Sequence, residues 1–130
     1  MKGATVASEP VILAIDQGTT SSRAMVFDRH GRALGSAQQE TRQLYRQPGW
    51  VEQDAQEIID LTFEMVRRVM RETGTDPERV ASIGITNQRE TTVLWDRATG
   101  AAVAPAIVWQ SRQTAPLVEQ IEARGMAETY

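Results

Sequence analysis

The sequence predicts an α/β layer fold in which three strands, a crossover helix and a further strand build one mixed sheet. Three observations lead there. The run Ile12-Leu-Ala-Ile-Asp16 breaks into Gly18-Thr19-Thr20-Ser21 and turns apolar again at Ala24-Met25-Val26-Phe27, the pattern of strand, tight turn and returning strand. Residues 54–73 carry apolar side chains at helical spacing. A short apolar run, Val80-Ala-Ser-Ile-Gly-Ile85, then follows as the next strand. The sheet these elements begin is expected to be unfinished where the sequence stops.

Element by element, the first strand is expected at about 11–16 and the second at about 22–28. Asp28-Arg-His-Gly31 makes the next turn, with Gly31 free to take positive φ. A third strand near 32–40 has weak alternation and a polar end suited to a sheet edge. A loop over 41–53 contains Pro48-Gly49-Trp50. The helix starts after Asp54, and Glu57 completes the spacing of a capping box. Ile58, Ile59, Leu61, Phe63, Met65, Val66, Val69 and Met70 predict one broad buried face. Glu64 and Arg68 make an i,i+4 pair on the other face, and Gly74 is the stop. The strand at 80–85 is expected to be buried. A hairpin pairs Thr91–Trp95 with about 103–108 across Asp96–Gly100, and a polar helix over 111–124 follows. Residues 1–9 are expected to form a flexible tail, with 10–130 the first portion of one larger domain.

Composition narrows the function. The chain has 130 residues, a net charge of −3 and no cysteine. A negative balance argues against a general nucleic-acid or membrane-surface binder. Without cysteine there is no disulfide, thiolate catalysis or Cys-based metal site, which fits a reducing cytoplasm. The opening residues lack the apolar core of a signal peptide, and no run reaches the length of a membrane span.

Two constellations carry chemistry. A Gly-Thr-Thr-Ser turn after a strand brings backbone N–H groups and three or four hydroxyls to one point, which suits a phosphate, and Asp16 beside it suits a hard metal ion. It is not a Walker A loop, because no Gly-Lys-Ser/Thr follows. An ordinary hairpin turn explains the same residues equally well. The second constellation, Thr86-Asn87-Gln88-Arg89-Glu90, lies just past a strand end, where ligand crevices of open α/β sheets sit. Arg89 supplies donors and Glu90 acceptors, a grip for a polyol; the alternative is a surface salt bridge worth little. Trp109 at the end of a later strand can cover the carbon edge of a polyol; the alternative, and the commoner use of a tryptophan, is simple packing. Trp50 and Trp95 read as packing residues, and His30 in an exposed turn takes no role.

Asp16-Gln-Gly-Thr-Thr-Ser-Ser-Arg23, Pro48-Gly-Trp-Val-Glu52, Gly84-Ile-Thr-Asn-Gln-Arg-Glu-Thr-Thr92 and Ala106-Ile-Val-Trp-Gln110 together resemble the FGGY carbohydrate kinases, and within them the members that act on glycerol. The resemblance covers residues 11–125. It implies the actin-like, ribonuclease H-like fold shared with hexokinase and Hsp70. It also implies a cytoplasmic enzyme that phosphorylates glycerol to sn-glycerol 3-phosphate with ATP and Mg2+, and a homo-oligomeric parent. By the same resemblance Thr19, Thr20, Ser21 and Arg23 serve the nucleotide phosphates, and Asp16 serves the magnesium ion. Arg89, Glu90 and Trp109 hold glycerol, with Thr19 at its edge. Family members run several times longer, so the general-base aspartate, a pocket tyrosine and the adenine site are expected beyond residue 130. The chain alone is then inactive, and Tyr130 is not that tyrosine. Three rivals stand beside this reading: a kinase for a pentulose or gluconate, a non-catalytic nucleotide-binding module, and a ribonuclease H-like nuclease using Asp16 on metal.

Overall fold

Hydrophobic alternation and helical periodicity resolve into nine elements in a computed structural model, which describes residues 9–126. In chain order they are β1 (Val11–Gln17), β2 (Ser21–Phe27), β3 (Ala33–Glu40), β4 (Glu52–Gln53), α1 (Ala55–Thr73), a 3-10 turn (Pro77–Arg79), β5 (Val80–Asn87), β6 (Ala106–Ile107) and α2 (Ala115–Ala123). The expected tail over residues 1–8, and Tyr130, lie outside the described residues. Glu9 is inside them and is tied down, its carbonyl accepting from Arg79 Nε at 3.1 Å and Nη2 at 3.0 Å. The chain divides into two units, one running to Thr41 and resuming over Gln56–Gln88, the other made of Arg42–Ala55 and the residues from Arg89 onward.

The first unit holds a four-stranded sheet of order β3-β2-β1-β5. β1 pairs antiparallel with β2 and parallel with β5, and β2 pairs antiparallel with β3. Alternation dictates its core: Val11 and Leu13 of β1, Ala24 and Val26 of β2 and Ala37 of β3 are buried on one face against Leu61, Met65 and Val69 of α1. The helix approaches β3 closely because Gly35 has no side chain. A Cβ there would collide with Thr73 Cγ2, and the Thr73 hydroxyl is anchored by donating to the Val69 carbonyl at 2.8 Å.

Two expectations about burial are corrected here. The buried helix face is a single i, i+4, i+8 ridge flanked by half-buried Val66 and Met70; Ile59 and Phe63 are exposed. Arg67 lies over the Phe63 ring, 5.8 Å from its centre. β5 is an open edge, with Ile83 56% and Ile85 73% exposed, because among the described residues only β1 pairs with it. On the outer helix face Arg68 Nε bonds Glu72 at 2.8 Å; the expected partner Glu64 contributes only a longer-range attraction.

The Asp28–Gly31 turn rests on a device the sequence did not announce. Buried Asp28 accepts from the backbone N–H of His30 at 2.8 Å and of Arg32 at 2.9 Å, and from Arg32 Nε at 2.7 Å. Chiefly the Arg32 backbone bond, opposed by burial and aided by the Arg32 side chain, lowers its pKa from 3.8 to about 2. A carboxylate with a depressed folded-state pKa stabilises the fold fully above its unfolded value. That contribution disappears as pH falls from 3.8 through about 2. Asp28→Asn should therefore lower the denaturant midpoint near neutrality, and the gap from wild type should close over that acid window. A gap that stays constant with pH would deny the carboxylate this role.

The second unit is built on a short antiparallel pair, β4 with β6. Leu44 bridges Glu52 on one side and Thr92 bridges Ile107 on the other, so the row runs Leu44-Glu52-Ile107-Thr92. Glu52 is 5% exposed with Arg46 Nε 3.4 Å away, and Gln53, Ala106 and Val108 are buried around it. The hairpin over 91–108 forms as expected, its turn pinned by Asp96 accepting from the N–H groups of Ala98 at 3.0 Å and Thr99 at 2.8 Å. Trp95 is not a packing residue: it is 60% exposed and lines an open groove of about 540 Å3 with Val93, Leu94 and Arg97. Trp50 is half-buried.

Candidate functional site

The turn between β1 and β2 closes on itself, Gly18 N–H donating to the Ser21 carbonyl at 3.0 Å. A Cβ on Gly18 would stand 3.1 Å from that carbonyl oxygen, a tight contact that would push the carbonyl back by a few tenths of an ångström. The end of β3 closes over the turn, with Thr41 N–H donating to the Thr20 carbonyl at 2.9 Å. The chain thus presents an exposed Thr20 on a loop held by two backbone hydrogen bonds.

Not every hydroxyl joins it. Ser22 is buried, its Oγ 3.3 Å from Thr62 Oγ1 of α1, so strand alternation turns it into the core. Ser21 Oγ accepts from Gln38 Nε2 at 2.9 Å. Gly18 N–H is consumed within the turn. Of the three or four hydroxyls expected there, those of Thr19, Thr20 and Ser21 stay at the turn.

Register explains how the charged groups assemble. Asp16 pairs with Arg23 on β2 and with Thr86 on β5, and Arg23 pairs with Gln38 on β3. Directly opposed residues share a face, so Thr86, Asp16, Arg23 and Gln38 form one polar row across the sheet, on the face away from α1. Arg23 does not spend itself on Asp16: its Nε at 2.9 Å and Nη2 at 2.6 Å both donate to Gln38 Oε1. Asp16 is exposed and makes no ion pair with the described residues.

That arrangement bears on a metal. Among the described residues no three His, Asp or Glu side chains cluster to hold an ion. A single exposed carboxylate fits Mg2+ nonetheless, since that ion keeps several waters and takes its other oxygens from a polyphosphate.

β1 and β5 run parallel and end together, Gln17 opposite Asn87. Gln88 follows in the first unit, and Arg89 and Glu90 open the second. Both charged residues are exposed, and neither makes an ion pair with the other or with any described residue, which removes the salt-bridge explanation. Glu90 has φ +58°, the only non-glycine residue with positive φ among those described. Left-handed backbone costs an ordinary side chain roughly 1–2 kcal/mol, and such strain concentrates at functional positions. Trp109, in the second unit beyond β6, is 53% exposed.

Sequence reasoning missed Gln38, which it left in a polar strand end. It also missed Thr41, whose N–H seals the turn.

Comparison with known proteins gives the family. The N-terminal domain of the FGGY family of carbohydrate kinases matches residues 11–130. Glycerol kinase of Streptococcus pneumoniae (strain Hungary19A-6) is 49% identical over 125 residues, 96% of this chain and 25% of the relative. Plasmodium falciparum glycerol kinase, solved with ADP, superposes with a TM-score of 0.79 at 33% identity, over 88% of this chain and 23% of that one. The gluconate kinase of Lactobacillus acidophilus reaches 0.83 at 21% identity, over 94% and 24%, a likeness of fold alone. The chain therefore spans about a quarter of the length of the relatives it matches. Its mixed sheet and covering helix are the beginning of the actin-like layout. With that sheet, the hydroxyl turn joining its two central strands and a family match over residues 11–130, this chain belongs to the FGGY family of carbohydrate kinases, as its N-terminal domain.

Proposed function

We propose that this chain is the first portion of a longer cytoplasmic kinase that moves the γ-phosphoryl group of ATP to glycerol, giving sn-glycerol 3-phosphate. One observation carries the reading: a rigid hydroxyl turn at the carboxyl end of β1, in register with the end of the parallel strand β5 that leads into Arg89 and Glu90. Thr19, Thr20 and Ser21 bind the phosphates and Arg23 neutralises them. Asp16 would hold Mg2+, whose positive charge would help to offset the charge of the transferring phosphoryl group. Arg89 donates to glycerol hydroxyls, Glu90 accepts from them, and Trp109 covers the carbon edge. These groups position two substrates for in-line transfer, and positioning with charge stabilisation supplies most of the rate.

The glycerol kinase of Streptococcus pneumoniae at 49% identity favours glycerol over a pentulose or gluconate. In the full-length enzyme, a panel of glycerol, xylulose and gluconate should show turnover with glycerol first. Thr20→Val should raise the KM for ATP and leave that for glycerol nearly unchanged. The loss corresponds to about 1.5–3 kcal/mol for one hydrogen bond to a charged group. A change confined to the glycerol KM would remove the turn from the nucleotide.

A further inference from the structure

Gln38 lies 15 residues from Arg23 and 17 from Ser21 in sequence, yet its one amide holds both. Its Oε1 accepts two N–H groups of the Arg23 guanidinium, at 2.9 and 2.6 Å, and its Nε2 donates to Ser21 Oγ at 2.9 Å. The opposed register of Gln38 and Arg23 makes this a cross-strand contact set by the sheet itself.

We propose that Gln38 is a positioning residue that aims Arg23 and the Ser21 hydroxyl at the nucleotide's phosphates without neutralising the arginine. The proposal rests on the assignment of Arg23 to those phosphates. An arginine left free on a strand surface samples many rotamers and loses that freedom on binding an anion. Held by Gln38, it is already ordered. The guanidinium has five N–H donors, and the amide engages one on Nε and one on Nη2, so the rest remain for an anion. The holder's neutrality matters as much as its geometry. A carboxylate in the same place would accept the same two N–H groups and order the arginine equally well. It would also cancel the arginine's charge and repel a polyphosphate. The amide orders the cation and leaves its charge undiminished. Donation to Ser21 Oγ further turns the lone-pair side of that hydroxyl toward Gln38, so its own O–H points outward as a donor.

Gln38→Glu in the full-length enzyme separates positioning from simple support. It preserves shape and both acceptor contacts, and Ser21 can donate to it, so a merely structural role leaves kinetics unchanged. The expected result is a rise in the ATP KM on the order of tenfold, as for a weakened charge-assisted contact, with the glycerol KM and the thermal midpoint unmoved. Gln38→Leu, which keeps neutrality but cannot hold Arg23, should also raise the ATP KM. An unchanged ATP KM in Gln38→Glu overturns the proposal. Arg23→Ala distinguishes the levels of failure. If it leaves the ATP KM alone, Arg23 does not serve the nucleotide and the proposal falls with that assignment. If it raises the ATP KM while Gln38→Glu does not, only the role of Gln38 is refuted.

Discussion

Purified by itself, the 130-residue chain is expected to release no ADP in a glycerol- and ATP-dependent reaction. On the proposed function it carries the phosphate turn and the Arg89–Glu90 step, but the family resemblance puts the aspartate expected to deprotonate the glycerol hydroxyl beyond Tyr130. Absence of a general base alone slows such a step by about 10²–10⁴-fold. The adenine site and the domain that closes over the substrates are expected in the same later region, so their losses compound. The open β5 edge, with Ile83 and Ile85 exposed, adds a physical consequence: unpaired strand N–H and C=O groups beside apolar side chains favour association between copies. Size-exclusion chromatography should therefore find oligomers or aggregate alongside the missing activity. Turnover by chain freed of host kinase would mean that a residue within it acts as the base.

The second large effect is expected at Glu90. Glu90→Gln in the full-length enzyme keeps volume and backbone conformation but removes the charge that strengthens acceptance from hydroxyls. Glycerol KM should rise by about 10–100-fold, the equivalent of roughly 1.5–3 kcal/mol for a charged hydrogen bond, and ATP binding should stay close to normal. The backbone provides a second handle. At φ +58° glycine is at ease where glutamate is strained. Glu90→Gly should therefore abolish the glycerol response without lowering the thermal midpoint, although it deletes a whole side chain. Ordinary glycerol titration in Glu90→Gln would take the residue out of the polyol site. A destabilised Glu90→Gly would show that the left-handed backbone holds no strain.

How far the sequence could be read depended on whether the deciding force was local. The β1–turn–β2 hairpin was legible because an apolar run interrupted by Gly-Thr-Thr-Ser admits few other backbones. The hairpin over 91–108 was legible through Asp96 and Gly100. Gln38 was not, and the reason is a one-residue irregularity. Phe27 pairs with Ala33, but Val26 pairs with Gly35, so Leu34 is extra. Counting evenly from the turn sets Ala37 opposite Arg23; the bulge sets Gln38 there and sends Ala37 into the core. The exposure of β5 was also hidden, because apolarity tells which strands want cover and not what covers them. The helix was overread for the same reason: Ile59 and Phe63 match the periodicity but lie outside the ridge that meets the sheet. The strain at Glu90 had no signal, since neither glycine nor asparagine marks the position.

The parallel pairing of β1 with β5 sets an order of assembly. β1, β2 and β3 follow one another through short turns, so their pairing closes small loops and needs nothing that comes later in the chain. Val11 meets Val80 only after the intervening segment is brought round, a closure that costs about 4 kcal/mol of chain entropy for a loop of this length. The Gly18–Ser21 turn, Arg23 and the Gln38 that holds it all belong to the quick local meander. The strand leading to Arg89 and Glu90 belongs to the slow, long-range step. A nascent chain thus shapes the Gly18–Ser21 turn first and sets the strand that precedes Arg89 and Glu90 beside β1 only when β5 arrives.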